Sequence, residues 1–475
     1  MKRCPHCGRD YDLTMNFCLD DGSELLYCPT PGGDTEHAFD RSVRYGLNEA
    51  KTEVLNVGHQ LVEFPATKIS VAYEGFWIAV MPFRFQTGNH EMESLAEGLA
   101  EEIVTGLSRF SYIRVIARGS ASRFSSPSID IRTVGRELGA RYLMAGSLRQ
   151  SGQLLRVAVQ VYDAATGEHL WAETYERRFD PTKIFEVQDD LVPRIVSTVA
   201  DWYGVLPKSM SESIRAKSPE SFTPYEALLY FFGYNLRVTE VDHLTARVGL
   251  EQALIADPAD ADCWAMLANV YLDEYKFGYN PEPEPLERAL NAASRAVELV
   301  PSNPSANCQL AHVRFFRREI AAFREAAERA IELNPLDGAI VGYMGVLIAC
   351  SGDWDRGCEL AGKAIELNPK HPGWFWGPFL NRAYLVEKDY QKALSYALKP
   401  NLPGFFYFHL NLAAIYGQLG EEELAGRALL RLIELKPDIA ATVRNDVGMW
   451  LDPDSVEAWI VGLRKAGLAV PDIRK

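Results

Sequence analysis

The chain has 475 residues, 47% apolar and 24% charged, and a formal net charge of −15. These values suit several globular domains and exclude a disordered or fibrous chain. They argue against a protein held to nucleic acid or anionic lipid by excess positive charge. The longest apolar run, Gly338 to Cys350, is too short for a membrane span. Cys4 and His6 stand where a signal peptide needs its apolar stretch, so the expectation is a cytoplasmic chain.

Residues 1–27 form a short cysteine-rich block. Cys4-Pro-His-Cys7-Gly8 sets two thiols at C-x2-C spacing with a glycine for the tight turn. Cys18 follows in Phe17-Cys18-Leu19-Asp20-Asp21-Gly22. Clustered thiols point to metal, whereas Cys263, Cys308, Cys350 and Cys358 stand singly in apolar helical sequence, as small core residues do. The block resembles a zinc ribbon whose second knuckle keeps its first cysteine and its glycine. That resemblance implies structural Zn2+ on Cys4, Cys7, Cys18 and a fourth ligand. Asp21 occupies the position where the family usually has cysteine. Cys28 is the rival, a softer donor that requires the chain to loop back. A block this short has almost no core, and structural zinc would supply roughly 10–16 kcal/mol of apparent folding energy. His6 reads as a surface residue of the knuckle. Acidic residues outnumber basic ones, which favours protein over nucleic acid as a contact. Residues 28–74, opening on CPTPGGDTEH, read as a linker.

Residues 75–204 alternate strand-like and helix-like stretches. Phe76–Phe83 is a buried-strand candidate. Leu95, Leu99, Ile103, Leu107 and Phe110 recur at helical spacing, and Tyr112–Ala117 is a second strand. Ile129–Leu138 is a short helix with Asp130 near its start and Gly139 past its end. Arg141–Leu148, Leu154–Asp163 and Leu170–Arg177 are strands. Leu155, Val157, Val159 and Val161 alternate with Arg156, Ala158, Gln160 and Tyr162, as on a half-buried antiparallel strand. Ala164–Gly167 makes the turn of a hairpin, and Phe185–Tyr203 closes the block as an amphipathic helix.

The resulting order is β-α-β-α-β-β-β-α. The motifs VMPF, EGLAEEIVTGLSRF, VIARGSASRF, VGRELGARYLMAGSLRQSG, VQVYDAATGEHLWAETYERRF and IFEVQDDL, in that order, are similar to the amino-terminal domain of TolB-like proteins. In that family the domain is often followed by tetratricopeptide repeats and preceded by a nucleotide cyclase or winged-helix DNA-binding module. The resemblance implies architecture more than activity. Arginine supplies every basic residue of the block except Lys183. Either these arginines form an ion-paired surface, or some of them, such as Arg118, Arg123, Arg136 and Arg149, hold a phosphate or carboxylate through bidentate contacts.

Residues 205–222, rich in serine, read as another linker, and residues 223–467 as a helical repeat. Pro301, Pro335, Pro369 and Pro437 lie on a 34-residue grid, with Pro403 at the missing point. Pro258 sits nine residues further back than the grid requires, and the insertion is Lys276–Glu284. Ala253, Ala296, Ala330 and Ala364 each stand five before such a proline, and Ala246 and Ala289 a further seven before the first two of these. Trp264-Ala-Met-Leu267-Ala268-Asn-Val-Tyr271 has the W-x2-L-G-x2-Y form with alanine for glycine. Small residues let the two helices of a hairpin approach closely. Proline ends the second helix, and neighbouring hairpins must stack to bury their apolar faces. The pattern resembles the tetratricopeptide repeat. Gly357 and Phe323 depart from the expected alanine, the repeat ending near Pro400 has a longer first and shortened second helix, and Ser455–Ala466 looks like a capping helix.

The sequence holds no Walker loop, GxGxxG or HExxH, and its histidines are dispersed, so no enzymatic activity is expected. The aromatic runs GWFWGPF and GFFYFH, with Trp374, Trp376, Phe405, Phe406 and Tyr407, are richer than packing demands. They are expected to line a peptide-binding groove or a dimer face. The fold class expected is α+β multidomain: a zinc ribbon, a mixed α/β domain and an all-α solenoid. The function expected is a non-enzymatic interaction or scaffold protein of bacterial signalling that binds a protein or peptide in the repeat groove rather than nucleic acid or membrane. The alternatives are a transcription-linked regulator using the ribbon and a regulatory partner of a nucleotide cyclase.

Overall fold

The computed structural model describes residues 2–3, 10–11, 26–27, 76–85, 90–124, 130–400 and 402–471. It divides into two units, Met1–Val71 and Ala72–Lys475. In the first, β1 (Lys2–Arg3) pairs antiparallel with both β2 (Asp10–Tyr11) and β3 (Leu26–Tyr27), giving the order β2-β1-β3. Cys4, Cys7, Cys18, Asp21 and Cys28 lie outside the described residues, as does the 28–74 stretch.

The second unit begins with a five-stranded sheet. Its elements are β4 (Trp77–Val80), α1 (His90–Leu107), β5 (Arg114–Val115), α2 (Arg118–Ala121), α3 (Ile131–Leu138), β6 (Tyr142–Ser151), β7 (Leu154–Asp163), β8 (His169–Arg178) and α4 (Ile184–Ala200). The strand order is β5-β4-β6-β7-β8; β4 runs parallel to β5 and β6, and β6-β7-β8 form an antiparallel meander. The alternation read in β7 is real: Leu155, Val157, Val159 and Val161 are fully buried in one core with Leu95, Leu99 and Ile103 of α1 and Leu191, Ile195 and Val199 of α4. On the opposite face, α2 and α3 cover a smaller core around Ala79, Ile116, Val134 and Leu143. Asp130 caps α3 by accepting from Arg132 N–H, and Gly139 ends it at φ +67°, a conformation glycine adopts without strain.

Two expectations need correction. The strand expected over Tyr112–Ala117 reduces to Arg114–Val115, because Tyr112 turns its hydroxyl into the core to donate to Ala200 O at 2.6 Å. The 205–222 stretch is no extended linker. Val205–Ile214 forms helix α5 with Leu206, Met210 and Ile214 buried at i, i+4, i+8, and Pro219–Ser221 adds a 3-10 turn.

The remainder is helical, and the prolines fall where the grid put them. The hairpins are α6 (Pro224–Arg237) with α7 (Glu240–Ala256), α8 (Ala261–Phe277) with α9 (Pro285–Leu299), α10 (Pro304–Phe316) with α11 (Ile320–Leu333), and α12 (Gly338–Cys350) with α13 (Trp354–Leu367). The next first helix is broken into a 3-10 turn (Gly373–Trp376), α14 (Gly377–Asn381) and a π turn (Arg382–Glu387), followed by the eight-residue α15 (Tyr390–Ala397). Then come α16 (Phe406–Leu419) with α17 (Glu422–Leu435), α18 (Ile439–Gly448) and α19 (Pro453–Lys465), the last lying where a terminal helix over Ser455–Ala466 was expected. Both departures from the alanine pattern have a packing reason. A Cβ on Gly357 would stand 2.7 Å from Ala349 N, so α12 and α13 approach closer than alanine permits. Phe323 is fully buried, edge-on to Phe315 at 5.4 Å, and fills a space alanine would leave empty.

The sheet domain and the helices share one core, running from Ile78 to Phe375. Polar bonds fasten the seam: Arg194 donates to Glu366 O at 3.1 Å and Thr198 to Leu367 O at 3.3 Å. Among the described residues no helix is long and apolar enough to cross a membrane.

Candidate binding chamber

The first helices of successive hairpins turn one side toward a common space. The chain also closes across that space. Phe316, ending α10, meets Trp450 beyond α18 edge-on at 5.0 Å, and Arg318 donates to Gly448 O. Tyr407 bonds Asp446 O at 2.8 Å and accepts from Trp450 Nε1 at 3.1 Å. The result is a chamber of about 610 Å³ walled by α6, α8, α12, α14, α16, α19 and the 402–405 loop. This volume lies in the range of ligand pockets.

Its walls are mostly aromatic and aliphatic: Phe277, Tyr343, Trp374, Phe405, Tyr407 and Trp450 are the large contributors. Its polar side is concentrated on α6 and α8. Asp273 is 3% exposed; it accepts from Tyr234 Oη at 2.7 Å and Asn269 Nδ2 at 3.2 Å and pairs with Lys276 Nζ at 2.6 Å. Lys276 lies over the ring of Phe277, 5.1 Å from its centroid. Asn235, 8% exposed, leaves its Nδ2 without a hydrogen-bond partner at the wall. His312 is wholly buried behind Tyr343, 4.8 Å ring to ring; burial, and secondarily the Lys276 charge, push its pKa far down, so it stays neutral. The Cys350 thiol at the rim is pushed up to about 12 by burial and is no thiolate nucleophile. The polar groups are thus satisfied ion pairs and neutral amides, suited to binding rather than proton transfer. Among the described residues no three His, Cys, Asp or Glu side chains converge as a metal site.

The inserted loop after α8 adds Tyr279 to the wall. The carboxylate of Glu274, fully buried, binds Arg247 at 3.0 Å, Arg288, and Glu282 N–H at 3.0 Å. Arg247 also donates to Asn280 O at 2.9 Å, and Tyr279 to Val238 O at 3.1 Å. The insertion is therefore pinned.

Of the five aromatic residues singled out in the sequence, the chamber gathers Trp374, Phe405 and Tyr407. Trp376 lies outside it, stacked on Tyr396 with Lys399 over its ring. Phe406 packs against Tyr407 and under Lys436. Asn235, Asp273, Lys276 and Trp450 escaped the sequence reading. The one local signal was a charged run, Asp273-Glu274-Tyr275-Lys276, ending an otherwise apolar helix. Among the arginines, Arg118 pairs with Glu101, Arg123 lies over Phe124, and Arg136 is exposed on α3.

Residues 74–194 match the family model described as HilA/YgeH-like transcriptional regulator, second domain, and residues 407–439 match a tetratricopeptide repeat. Putative adenylate cyclase 3 of Rhizobium meliloti (strain 1021) is 34% identical over 235 residues, which are 49% of this chain and 39% of that protein. The chain thus spans about two fifths of that relative's length. Among solved structures, the one from the functional characterization of Pseudomonas aeruginosa pilF aligns with TM-score 0.33 and 17% identity, covering 49% of this chain and 94% of its own. The APC/C hetero-tetramer Cut9-Hcn1 aligns with TM-score 0.40 and 17% identity, covering 59% and 51%. The repeat match supports a protein-interaction role.

Proposed function

We propose that this chain is a non-catalytic interaction protein of cytoplasmic regulation, docking an apolar, aromatic-bearing segment of a protein partner in the repeat chamber. The carrying observation is the concentration of Trp374, Phe405, Tyr407 and Trp450 around one space whose polar side is formed by Asn235, Asp273 and Lys276. Buried aromatic anchors dominate the energy of such interfaces. The test is affinity capture from the native cell on the full chain, wild type against Trp374→Ala/Tyr407→Ala, with Trp376→Ala as the control outside the chamber. Loss of a specific captured protein only in the chamber variant supports the reading; equal capture by all three overturns it.

The β-α-β-α-β-β-β-α order supports reading the sheet domain as TolB-like. The match to a transcriptional regulator's domain and the likeness to a chain named as a cyclase favour a second reading, in which the docked partner is a transcription factor or cyclase.

The first 27 residues we read as a zinc ribbon. In its described part, Arg3 of β1 pairs with both Asp10 and Leu26. We read Cys4, Cys7 and Cys18 with Asp21 as the donor set, Cys28 being the rival for the fourth place. Zinc content by mass spectrometry should fall in Asp21→Ala and stay at one per chain in Cys28→Ser; the reverse would transfer the role to Cys28.

A further inference from the structure

The sheet carries a second concavity that the docking function leaves unused. Among the described residues, helices α2 and α3 cover only part of the face opposite α1 and α4. There Ala145, Ser147 and Arg149 of β6 line up beside Ala158, Gln160 and Tyr162 of β7. Arg84 joins the same face: its backbone brackets Ser147 through Arg84 N–H to Gly146 O at 2.9 Å and Leu148 N–H to Arg84 O at 2.7 Å. Small residues in the middle and long ones at the rim make a depression of about 680 Å³, and among the described residues its lining contains two arginines and no carboxylate.

This charge distribution is unlike the rest of the domain. Arg141, Arg156, Arg177 and Arg194 each pair with an aspartate or glutamate. Among the described residues Arg84 and Arg149 have no acidic partner. Arg84 stands opposite Ser147, two positions from Arg149 and so about 7 Å away along the strand. Two guanidiniums on one face without carboxylate partners favour an anion between them, and their planar donor forks fit a phosphate. Gln160 accepts from Tyr162 Oη, which leaves its amide N–H groups available, and Ser147 adds a hydroxyl. The rings of Phe85 and Tyr162 stand at the border of the same depression.

We propose that this depression binds a nucleotide. Arg84 and Arg149 take the phosphate oxygens, Ser147 and Gln160 add neutral hydrogen bonds, and Phe85 and Tyr162 flank the planar base.

The test is calorimetric titration of the full chain with AMP, inorganic phosphate, citrate and adenosine. AMP should bind tightest, and its affinity should weaken as salt rises. Arg84→Gln and Arg149→Gln should each weaken AMP at least tenfold, Arg149→Lys should fall in between, and Arg156→Gln, on the same face but ion-paired, should leave it unchanged. Unaltered melting of each variant shows that the fold is kept. Absence of AMP binding at millimolar concentration overturns the proposal. So does equal affinity for AMP, phosphate and citrate, adenosine binding as well as AMP, or AMP affinity untouched in the Arg84→Gln/Arg149→Gln double variant.

Discussion

Asn368 points its Nδ2 at both carboxylate oxygens of Asp201, 2.9 Å from each, across 167 residues of chain. Ser197 Oγ donates to the same carboxylate at 3.1 Å and itself accepts from Gly338 N–H at 3.2 Å. This knot ties the last turn of α4 to the start and the end of the α12–α13 hairpin. Asn368→Ala removes a donor to a fully buried acid. It should cost about 2 kcal/mol of stability in urea unfolding, and a loss under about 0.5 kcal/mol would show that the knot is not structural.

The same knot makes stability depend on pH. Burial drives Asp201 up to about 7 against the pull of Asn368 and Ser197, and burial followed by the charge of Asp201 drives Asp337 up to about 8. Such carboxyls keep their protons longer folded than unfolded. Their contribution is whole below about pH 4 and drains away as pH climbs through 7 and 8. The urea midpoint should therefore drop between pH 5 and pH 8.5, and Asp201→Asn, permanently neutral, should flatten that drop. A midpoint that rises over this window would contradict the assignment.

Glu274 anchors the inserted loop through two arginines and a backbone N–H. Its removal in Glu274→Ala would strand Arg247 and Arg288 beside each other. The expected cost is about 3–5 kcal/mol, with new proteolytic cleavage within residues 278–284. An intact loop under limited proteolysis would show that the wall holds without its anchor.

The close approach of α12 and α13 gives a paired test. Gly357→Ala must push against Ala349 backbone and should destabilise by about 1–3 kcal/mol. Gly426→Ala, in α17 with nothing within 4 Å of the added carbon, should stabilise by about 0.5–1 kcal/mol. Thermal melts of the two variants shifting in the same direction would refute the contrast.

Trp450 contributes a ring to Phe316 and a hydrogen bond to Tyr407. Trp450→Ala should cost about 3 kcal/mol, and hydrogen exchange should quicken in both α10 and α18. Quickening in α18 alone would mean that the closure is passive.

Much of this was legible because local chemistry agreed with the fold. Asp130 and Gly139 marked both ends of α3, the alternation in β7 gave its buried face, and prolines marked where second helices stop. Helix α5 was hidden because Val205, Leu206, Met210 and Ile214 sit among serines and lysine, which read as a linker. The π turn at Arg382–Glu387 adds length without any residue type that announces it. Three aromatic members of the chamber could be named from their density in the sequence. Asn235, Asp273 and Trp450 could not, because they converge only when chain segments more than 200 residues apart meet.

The contact of α10 with the turn after α18 has a consequence for how the molecule can change over time. An open array of hairpins can gain or lose a unit at either end at little cost, since each answers only to its neighbours. Here Phe316 and Trp450 fix a circumference. Inserting or deleting one whole 34-residue unit between them would carry those two rings out of reach, so drift in this half of the chain is confined to substitutions and to loops facing outward.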